Sequence, residues 1–390
     1  MPDLPSPAVI ISARGQQRVH GGHPWIYRSD VVDVQAAGGD VVAVIGPRRR
    51  LLGYAFYSDR SQIALRMVSN EERAPDTALW RARLDAAIGF RTSLQLDATA
   101  YRLVHAEGDR LPSLIVDRYG DYLVLQALSQ ATDRLLPTFV DLLVALISPR
   151  GILARNDPRA RLLEGLEQQV GTLYGELPEA IPVREGAVEY DVNPWHGQKT
   201  GLFLDQRENR VAAARYARGR LLDCFSYHGG FALALAPFCS EVTALDISED
   251  AVRQITHNAA RNGLTQVVAR AANVFDELRR LESSGEAFDT IVLDPPAFAK
   301  NKAAVPKAIA GYKEINLRAL KLLAPGGILV TCSCSYHVDE SMLLGIVHEA
   351  AADAACTVSL VEKRMQGRDH PVLLGAPETY YLKCLILRKL

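Results

Sequence analysis

Apolar residues follow three different patterns along the chain. Over the first 70 residues, short apolar runs such as AVIISAR, DVVAVIGP, LLGYAFYS and IALRMVS alternate with clusters of Gly, Pro, Asp and Ser. Runs of this length between turn residues are typical of β-strands, so residues 1–70 are predicted to form a small β-rich domain. Residues 73–185 carry the second pattern and residues 188–390 the third.

The second pattern mixes helices and strands. Apolar residues recur at helical spacing over Asp76–Leu94 and again over Leu135–Ile147. Between them, Leu111–Leu128 predicts two strands joined by a Tyr-Gly-Asp turn, and GILARN predicts a further strand. Residues 73–185 are therefore predicted to be a central α+β domain.

The third pattern alternates strands and helices through residues 188–390. Each apolar strand segment is followed by a segment of helical periodicity, such as EDAVRQITHNAARNG and YKEINLRALKLLAPGG. This βαβ alternation predicts an α/β domain with a parallel, doubly wound sheet. The predicted strands are LLDCFS, VTALDIS, VVARAANVF, FDTIVLDPP and ILVTCSCS.

Two groups of charged residues in the first two domains have two interpretations each. Gly46–Arg50 (GPRRR) places three arginines at a predicted turn, where they form either a solvated hairpin tip or a phosphate contact. Arg102, His105, Asp109 and Arg110 lie either on the polar surface of the central domain or at an edge that faces a substrate. For both groups we expect the surface position.

Composition excludes several classes of protein. In 390 residues, 48% are hydrophobic and 23% charged, which is typical of a globular chain and not of a disordered, collagen-like or coiled-coil one. The net charge is −1, so a nucleic-acid partner would need a local basic patch. No signal peptide is predicted, and no apolar run approaches the roughly 18–20 residues that cross a membrane. Six cysteines without a Cys-x-x-Cys pair indicate reduced thiols and a cytoplasmic protein.

In an open α/β sheet, ligands bind outside the carboxyl ends of the parallel strands. The first strand here is followed by a single Gly-Gly pair, without the G-x-G-x-x-G sequence of dinucleotide sites and without a following basic residue. An Asp about 20 residues further on is positioned to bind a ribose diol. A ribose-bearing cofactor without pyrophosphate, S-adenosylmethionine, therefore fits better than a nicotinamide dinucleotide. The residues at this edge are Asp223, Gly229, Gly230, Asp246, Asn273, Asp294, Cys332 and Cys334.

Three of these residues indicate chemistry on a nucleobase. Pro295 and Pro296 hold the backbone extended, so the Asp294 carboxylate either bonds the amino or ring nitrogen of a base or merely caps a turn. A thiolate that adds to C6 of cytosine makes C5 nucleophilic enough to accept a methyl group. Cys332 and Cys334 share a face if the strand stays extended, and only one of them is expected to reach C6.

Five segments together resemble the class I S-adenosylmethionine-dependent methyltransferases of the large-subunit ribosomal-RNA methyltransferase I family. They are WHGQKTGLFLDQREN, LLDCFSYHGGFALALA, VTALDISEDAV, FDTIVLDPPAFAK and PGGILVTCSCSYH. RVHGGHPWIYRSDV is similar to the family's N-terminal PUA domain, and LVHAEGDRLPSLIVDRYGDYLVLQ to its central α+β domain. The resemblance thus implies an RNA-binding PUA domain over 1–70, a central domain over 73–185 and a Rossmann-like methyltransferase domain over 188–390.

The resemblance also implies an activity, namely methyl transfer from S-adenosylmethionine to C5 of a cytosine in 23S rRNA through a cysteine–C6 adduct. The nucleophile falls on Cys334, with Cys332 as the rival register, and Asp294 lies near the methyl group and the base. Asn273 replaces the family's usual Asp, which removes charge from a contact to adenine. No metal or membrane partner is implied, and a homodimer is left open. The implied cofactor-binding residues are Phe203, Asp205, Arg207, Asp223, Phe225, Tyr227, Gly229, Asp246, Ile247, Asn273, Val274 and Asp294.

Two alternatives stay open at this point. An exocyclic-amino RNA methyltransferase also uses a Pro-Pro segment, but it places an aromatic residue where this chain has Ala297. A non-catalytic rRNA-binding protein with a degenerate domain is disfavoured by the intact Gly229, Asp246 and Asp294.

Overall fold

A computed structural model describes residues 6–197, 199–299 and 301–390. The chain divides into two compact units, each assembled from several segments. The first unit comprises the residues up to Val183, together with Val192–Leu202 and Arg368–Thr379. The second comprises Arg184–Asp191, Phe203–Gly367 and Tyr380–Leu390.

The N-terminal part of the first unit is a six-stranded sheet with strand order β2-β6-β5-β4-β1-β3. Its four predicted strands are present, and the three arginines of Gly46–Arg50 are exposed at the tip of the β4–β5 hairpin. A short helix, begun by the Ser12 side chain, was not predicted. The elements are β1 Ala8–Ile11, α1 Ala13–His20, β2 Trp25–Tyr27, β3 Val31–Gln35, β4 Val41–Ile45, β5 Leu51–Tyr57 and β6 Ile63–Ser69.

The central part of the first unit is a five-stranded sheet with strand order β11-β10-β9-β8-β7. Its two long helices bury Trp80 and Phe139 in the core. The predicted Tyr-Gly-Asp turn joins β8 to β9, with Gly120 at a φ of 57°. The elements are α2 Thr77–Ser93, β7 Ala100–His105, β8 Leu114–Tyr119, β9 Tyr122–Ala127, α3 Gln130–Arg134, α4 Leu136–Ile147, β10 Gly151–Asn156, α5 Ala160–Leu163 and β11 Gln169–Gly175.

Charged residues that we expected at the surface of the central domain are largely buried. The Arg102 guanidinium binds both oxygens of Asp117, at 2.5 and 3.1 Å, and Asp117 is 0% exposed. The Thr200 hydroxyl donates to the same carboxylate at 2.6 Å. His105 and Asp109 are also largely inside, because Asp109 pairs with Arg91 and accepts the His105 backbone N–H. The surface prediction is therefore wrong for Arg102, His105 and Asp109, whereas Arg110 is exposed as expected.

The second unit is built on a seven-stranded sheet with order β16-β15-β14-β17-β18-β20-β19. The first five strands are parallel, and β20 and β19 add in antiparallel fashion. The α/β fold class is confirmed, although the last two strands were not predicted. The elements are α6 Arg207–Ala214, β14 Arg220–Cys224, α7 Gly230–Leu235, β15 Glu241–Asp246, α8 Glu249–Arg261, β16 Val267–Ala271, α9 Val274–Ser283, β17 Phe288–Leu293, α10 Val305–Leu322, β18 Leu323–Ser333, α11 Glu340–Asp353, β19 Val358–Arg364 and β20 Lys383–Lys389. A separate two-stranded sheet pairs β12 Ile181–Glu185 with β13 Val188–Val192.

Two boundaries in this unit differ from the prediction. β18 already begins at Leu323, so the Pro-Gly-Gly segment lies within the strand and does not cap the preceding helix. The same strand ends at Ser333. Cys334 therefore lies beyond the strand, where the alternation of side chains no longer places it on the face of Cys332. In the described part of the chain, no helix combines the length and apolarity that crossing a membrane requires.

Candidate functional site

The turn after β14 is held against the end of β15 by backbone hydrogen bonds. The Tyr227 N–H donates to one oxygen of Asp246 at 2.9 Å, and the Ser248 N–H donates to the other at 3.0 Å. Phe225, Tyr227 and Gly229 have φ of 64°, 52° and 86°. Such values are uncommon for non-glycine residues, so the turn is strained and over-determined by its surroundings. This geometry fixes the Asp246 carboxylate at the edge of the sheet, half-buried.

Asp223, the fourth residue of β14, is a buried carboxylate with incomplete partners. It is 1% exposed, and its Oδ2 accepts the Ala232 N–H of α7 at 2.9 Å. Its Oδ1 has no hydrogen-bond partner among the described residues. Burial raises the pKa of Asp223 to about 7. A buried polar atom without a partner is costly, so a donor from a ligand would be favoured here.

The predicted residues after β15 and β16 differ in the groups that they can present to a ligand. Ile247 is 75% exposed beside Asp246, as an apolar side chain that packs on a ring would be. The Asn273 side-chain oxygen accepts the Phe275 N–H at 3.0 Å, so it already begins α9 and has one lone pair left. The Val274 side chain is buried in the core, so only its backbone can face a ligand.

The segment before α6 contributes three further predicted residues. The Phe203 ring packs edge-on against Tyr227, with centroids 5.1 Å apart. Asp205 is buried, and its Oδ2 accepts the Tyr381 hydroxyl at 2.7 Å, which anchors this segment next to β20. Arg207 is the buried first residue of α6. Asp205 and Arg207 thus have clear structural contributions besides any contact with a ligand.

Asp294 follows β17 directly and is half-buried. Its Oδ1 accepts a hydrogen bond from the Gln206 amide at 2.8 Å. Phe298, three residues beyond Pro295, packs on Phe225 and Tyr312 at centroid distances of 6.4 and 4.7 Å. These ring contacts hold the Asp-Pro-Pro segment against the turn after β14 and against α10.

The two candidate thiols have different environments. Cys332 is 0% exposed and lies directly opposite Cys384 in the β18–β20 pair. Burial, together with the thiol of Cys384, raises the pKa of Cys332 well above its usual range. Cys334 is half-buried, and its sulfur lies 3.8 Å from the carbonyl oxygen of Pro295. Only Cys334 therefore combines exposure with closeness to the Asp-Pro-Pro segment.

Lys383 is a candidate site residue that sequence reasoning missed. The residue is 2% exposed, and its ammonium donates to the carbonyl oxygens of Ser335 and Tyr381 at 2.7 and 2.9 Å. Burial lowers its pKa to about 8, while the acidic groups of Cys334 and Asp339 oppose that shift. A lysine inside the apolar run YLKCLIL was the available signal, because a buried lysine needs partners.

These residues suit S-adenosylmethionine in three respects. The orphaned Asp223 oxygen suits an amino group, the half-buried Asp246 carboxylate suits a ribose diol, and exposed Ile247 suits a purine ring. A side chain at Gly229 would bring Cβ within 3.2–3.3 Å of Leu233 and Ile255, so the close backbone turn requires glycine.

Sequence and structure comparisons agree with this picture. Residues 9–70 match the PUA-like domain family, and residues 166–388 match the family of S-adenosylmethionine-dependent methyltransferases. A protein of Streptococcus mutans described as an S-adenosylmethionine-dependent methyltransferase has the same fold, with a TM-score of 0.84 over 98% of this chain and 99% of that one, at 19% identity. The protein is therefore an S-adenosylmethionine-dependent methyltransferase with an N-terminal PUA-like domain.

Two relatives narrow this class. The ribosomal RNA large subunit methyltransferase I of Tolumonas auensis is 41% identical over 377 residues, covering 94% of this chain and 95% of the relative. That of Klebsiella pneumoniae is 37% identical over 395 residues and covers 98% of both chains. The chain belongs to the ribosomal RNA large subunit methyltransferase I family, which confirms the resemblance drawn from its motifs.

Proposed function

We propose that this protein methylates C5 of a cytosine in 23S rRNA, with Cys334 as the nucleophile. One observation carries the proposal: Cys334 is the half-exposed thiol beside Asp294-Pro295, whereas Cys332 is buried against Cys384. A thiol in this position is suited to covalent catalysis on a base that the RNA presents unstacked. Family membership supports large-subunit rRNA as the substrate.

Each residue in the proposed mechanism has a limited task. The Cys334 thiolate adds to C6 of cytosine, and the Lys383 ammonium stabilises that thiolate before the attack. The Asp294 carboxylate accepts a hydrogen bond from the exocyclic amino group and orients the base. S-adenosylmethionine, when bound, supplies the electrophilic methyl group that C5 attacks. S-adenosylhomocysteine is the leaving group of this transfer, and water then takes the C5 proton as the C5–C6 double bond re-forms and the thiolate of Cys334 is expelled.

The cofactor would be held by the residues at the strand ends. In this proposal Asp223 accepts from the amino group, Asp246 from the ribose, and Ile247 packs on the adenine. Gly229 allows the backbone to approach the ligand. The other predicted residues complete the wall of this site: Phe203, Asp205, Arg207, Phe225, Tyr227, Asn273 and Val274.

RNA binding would draw on the PUA-like domain. The three exposed arginines of Gly46–Arg50 form a local basic patch on a chain whose net charge is −1. Such a patch suits contacts with RNA phosphate.

The test is the identity of the methylated nucleoside. Ribosomal RNA from a strain that lacks the gene would be incubated with the protein and methyl-labelled S-adenosylmethionine, then digested to nucleosides. We expect the label in 5-methylcytidine. Label in an N-methylated base would overturn the C5 assignment in favour of the exocyclic-amino alternative, and no transfer to any RNA would favour a non-catalytic binding protein.

Variants assign the thiol in the same assay. Cys334→Ser should abolish transfer, while Cys356→Ser, at a half-buried cysteine outside the site, should retain it. Loss of activity in Cys332→Ala with activity retained in Cys334→Ser would move the role to Cys332.

A further inference from the structure

A chain of hydrogen-bonded side chains leads from the outer edge of the sheet to Asp294. Glu362 on β19 accepts from Arg364 at 3.2 Å, and Arg364 donates to the Asn209 oxygen at 3.1 Å. The Asn209 amide donates to the Gln206 oxygen at 2.6 Å. Gln206 in turn donates to Asp294 Oδ1 at 2.8 Å. From Arg364 onward, one donor at each step therefore points toward Asp294.

Arg364 imposes the direction of the hydrogen bonds from itself to Asp294. An arginine has donors and no acceptor, so the Asn209 group that faces Arg364 must be its oxygen. The Asn209 nitrogen then faces Gln206, whose oxygen must accept. Gln206 consequently presents its nitrogen to Asp294, and the usual ambiguity between the two ends of an amide does not arise here.

Burial strengthens the hydrogen bonds that lead from Arg364 to Asp294. Gln206 and Asn209 are 2% and 0% exposed, so water does not compete for these amides. The oxygen and the nitrogen of each amide are hydrogen-bonded to neighbouring side chains, so the two amide groups have little freedom to rotate. A donor fixed in this way stabilises the ionised form of the carboxylate that it faces.

Asp294 needs such a donor because acidic groups surround it. The charge of Asp294 contributes to the raised pKa values of Asp223 on β14 and Cys332 on β18, and the Gln206 amide also bonds the Cys332 thiol. Cys334 follows β18, with its sulfur beside the Pro295 carbonyl. Negative charge on any of these groups would favour protonation of Asp294, so the hydrogen bond from Gln206 acts against them.

We propose that Gln206, Asn209 and Arg364 are positioning residues that keep Asp294 ionised and oriented to accept from the amino group of cytosine. This inference rests on the proposed function, since it assigns the partner of Asp294 there. The three residues do not touch the base in this account, and they act only through Asp294.

The pH dependence of kcat tests this directly. Because Cys334 must ionise, log kcat should rise with a slope of one below the pKa of its thiol. Where Asp294 also becomes protonated, the slope should steepen to two. Wild-type protein should keep a slope of one between pH 6 and 7.5, measured as methyl label incorporated into RNA at saturating substrates.

Gln206→Glu should raise the break, which is the pH at which the slope of log kcat changes from two to one, into the range between pH 6 and 7.5. The introduced carboxylate faces Asp294, and like charges raise the pKa of the pair by about one unit or more. The ratio of kcat at pH 8 to kcat at pH 6 should therefore grow about threefold relative to wild type. Curves that fall equally at every pH would show a structural role only and overturn the proposal.

Asn209→Asp separates a relay from a local effect, because this position does not contact Asp294. Two acceptor oxygens at 209 oblige Gln206 to turn its nitrogen outward and its oxygen toward Asp294. The break should therefore move upward, by less than in Gln206→Glu, whereas Arg364→Lys keeps a cationic donor and should retain the wild-type profile. An Asn209→Asp profile parallel to that of wild type would contradict the relay.

Arg364→Met covers the case in which the buried variants do not fold. The Arg364 side chain is 29% exposed, so its replacement should be tolerated. Without the arginine, the Asn209 amide is free to reverse, and a small upward shift of the break is expected. An unchanged profile would count against the proposal. Analysis of the labelled nucleosides tests C5 methylation separately, so a failure of C5 methylation can be distinguished from a failure of the positioning role.

Discussion

Asp117 in the first unit and Asp223 in the second are both buried carboxylates, with exposed fractions of 0% and 1%. Asp117 accepts two hydrogen bonds from Arg102 and one from the Thr200 hydroxyl. Asp223 accepts from a backbone N–H through Oδ2, and its Oδ1 has no partner in the described ranges.

The difference separates a scaffold residue from a binding residue. A buried charge with a full set of partners is balanced within the protein and joins segments distant in sequence. A buried carboxylate that lacks a cation takes up a proton instead, which is why the pKa of Asp223 is raised to about 7. We infer that the first carboxylate stabilises the fold and that the second is completed by a ligand.

Arg102→Met should give the largest effect, because it leaves Asp117 buried without its cation. We expect the free energy of unfolding to fall by about 3–5 kcal/mol, measured by urea denaturation. Arg253→Met is the matched control, since Arg253 pairs with Asp250 at the exposed surface and should barely change stability. A loss for Arg102→Met as small as that of the control would remove the contrast between the two carboxylates.

Asp223→Asn should become more stable relative to wild type as pH rises, whereas Arg102→Met loses stability. The folded-state pKa of about 7 lies above the unfolded value near 4, so ionisation favours the unfolded wild-type chain between these two pH values. The Asn variant has no such cost. Its stability relative to wild type should therefore increase from pH 4 to pH 7 by on the order of 3 kcal/mol. A constant difference over this range would show that Asp223 is not held protonated.

The same variant should bind S-adenosylmethionine less tightly. Loss of a charge-assisted hydrogen bond worth roughly 1.5–3 kcal/mol weakens affinity about 10–100-fold, which calorimetry at pH 7.5 measures. Asp109→Asn, a buried carboxylate of the first unit, is the control and should leave the dissociation constant unchanged. Equal affinities of wild type and Asp223→Asn would end the assignment of Asp223 to the cofactor.

Lys383→Met should give the smallest of the four expected effects, a lower reactivity of the Cys334 thiol. Without the ammonium, the pKa of the thiol should rise by about one unit, and alkylation by iodoacetamide at pH 7 should slow about tenfold. Lys389→Met is matched, because its ammonium also donates to two carbonyls, those of Leu320 and Leu323, from the other end of β20. Both variants would carry Cys356→Ser to leave one reactive thiol. If the two variants react alike, Lys383 does not activate Cys334.

The sequence predicted most of the elements, though not α1, β19 or β20, and it predicted the edge of the sheet that carries the site. Both predictions follow from local periodicity and from the rule for parallel strands. Gly229, Asp246 and Asp294 are at the strand ends for this reason. The partners of these residues were not predictable, since Gln206 meets Asp294 across 88 positions of the chain. Arg102 likewise appeared as a surface residue because the Asp117 carboxylate that neutralises it meets it only after folding.

The choice between the two thiols depended on a single boundary. Alternation along an extended strand puts Cys332 and Cys334 on one face, but β18 ends at Ser333. The end of a strand depends on tertiary contacts, here the bonds that Ser335 makes with Tyr312 and Lys383. Periodicity alone does not contain that information.

Trapping on RNA that carries 5-fluorocytidine tests the mechanism most directly, because fluorine at C5 prevents the proton loss that releases the enzyme. With S-adenosylmethionine present, wild type and Cys332→Ala should form a covalent protein–RNA complex that survives denaturing electrophoresis, and the linked peptide should contain Cys334. Cys334→Ala should form none. A stable complex with Cys334→Ala, or its absence from active wild-type protein, would contradict the account.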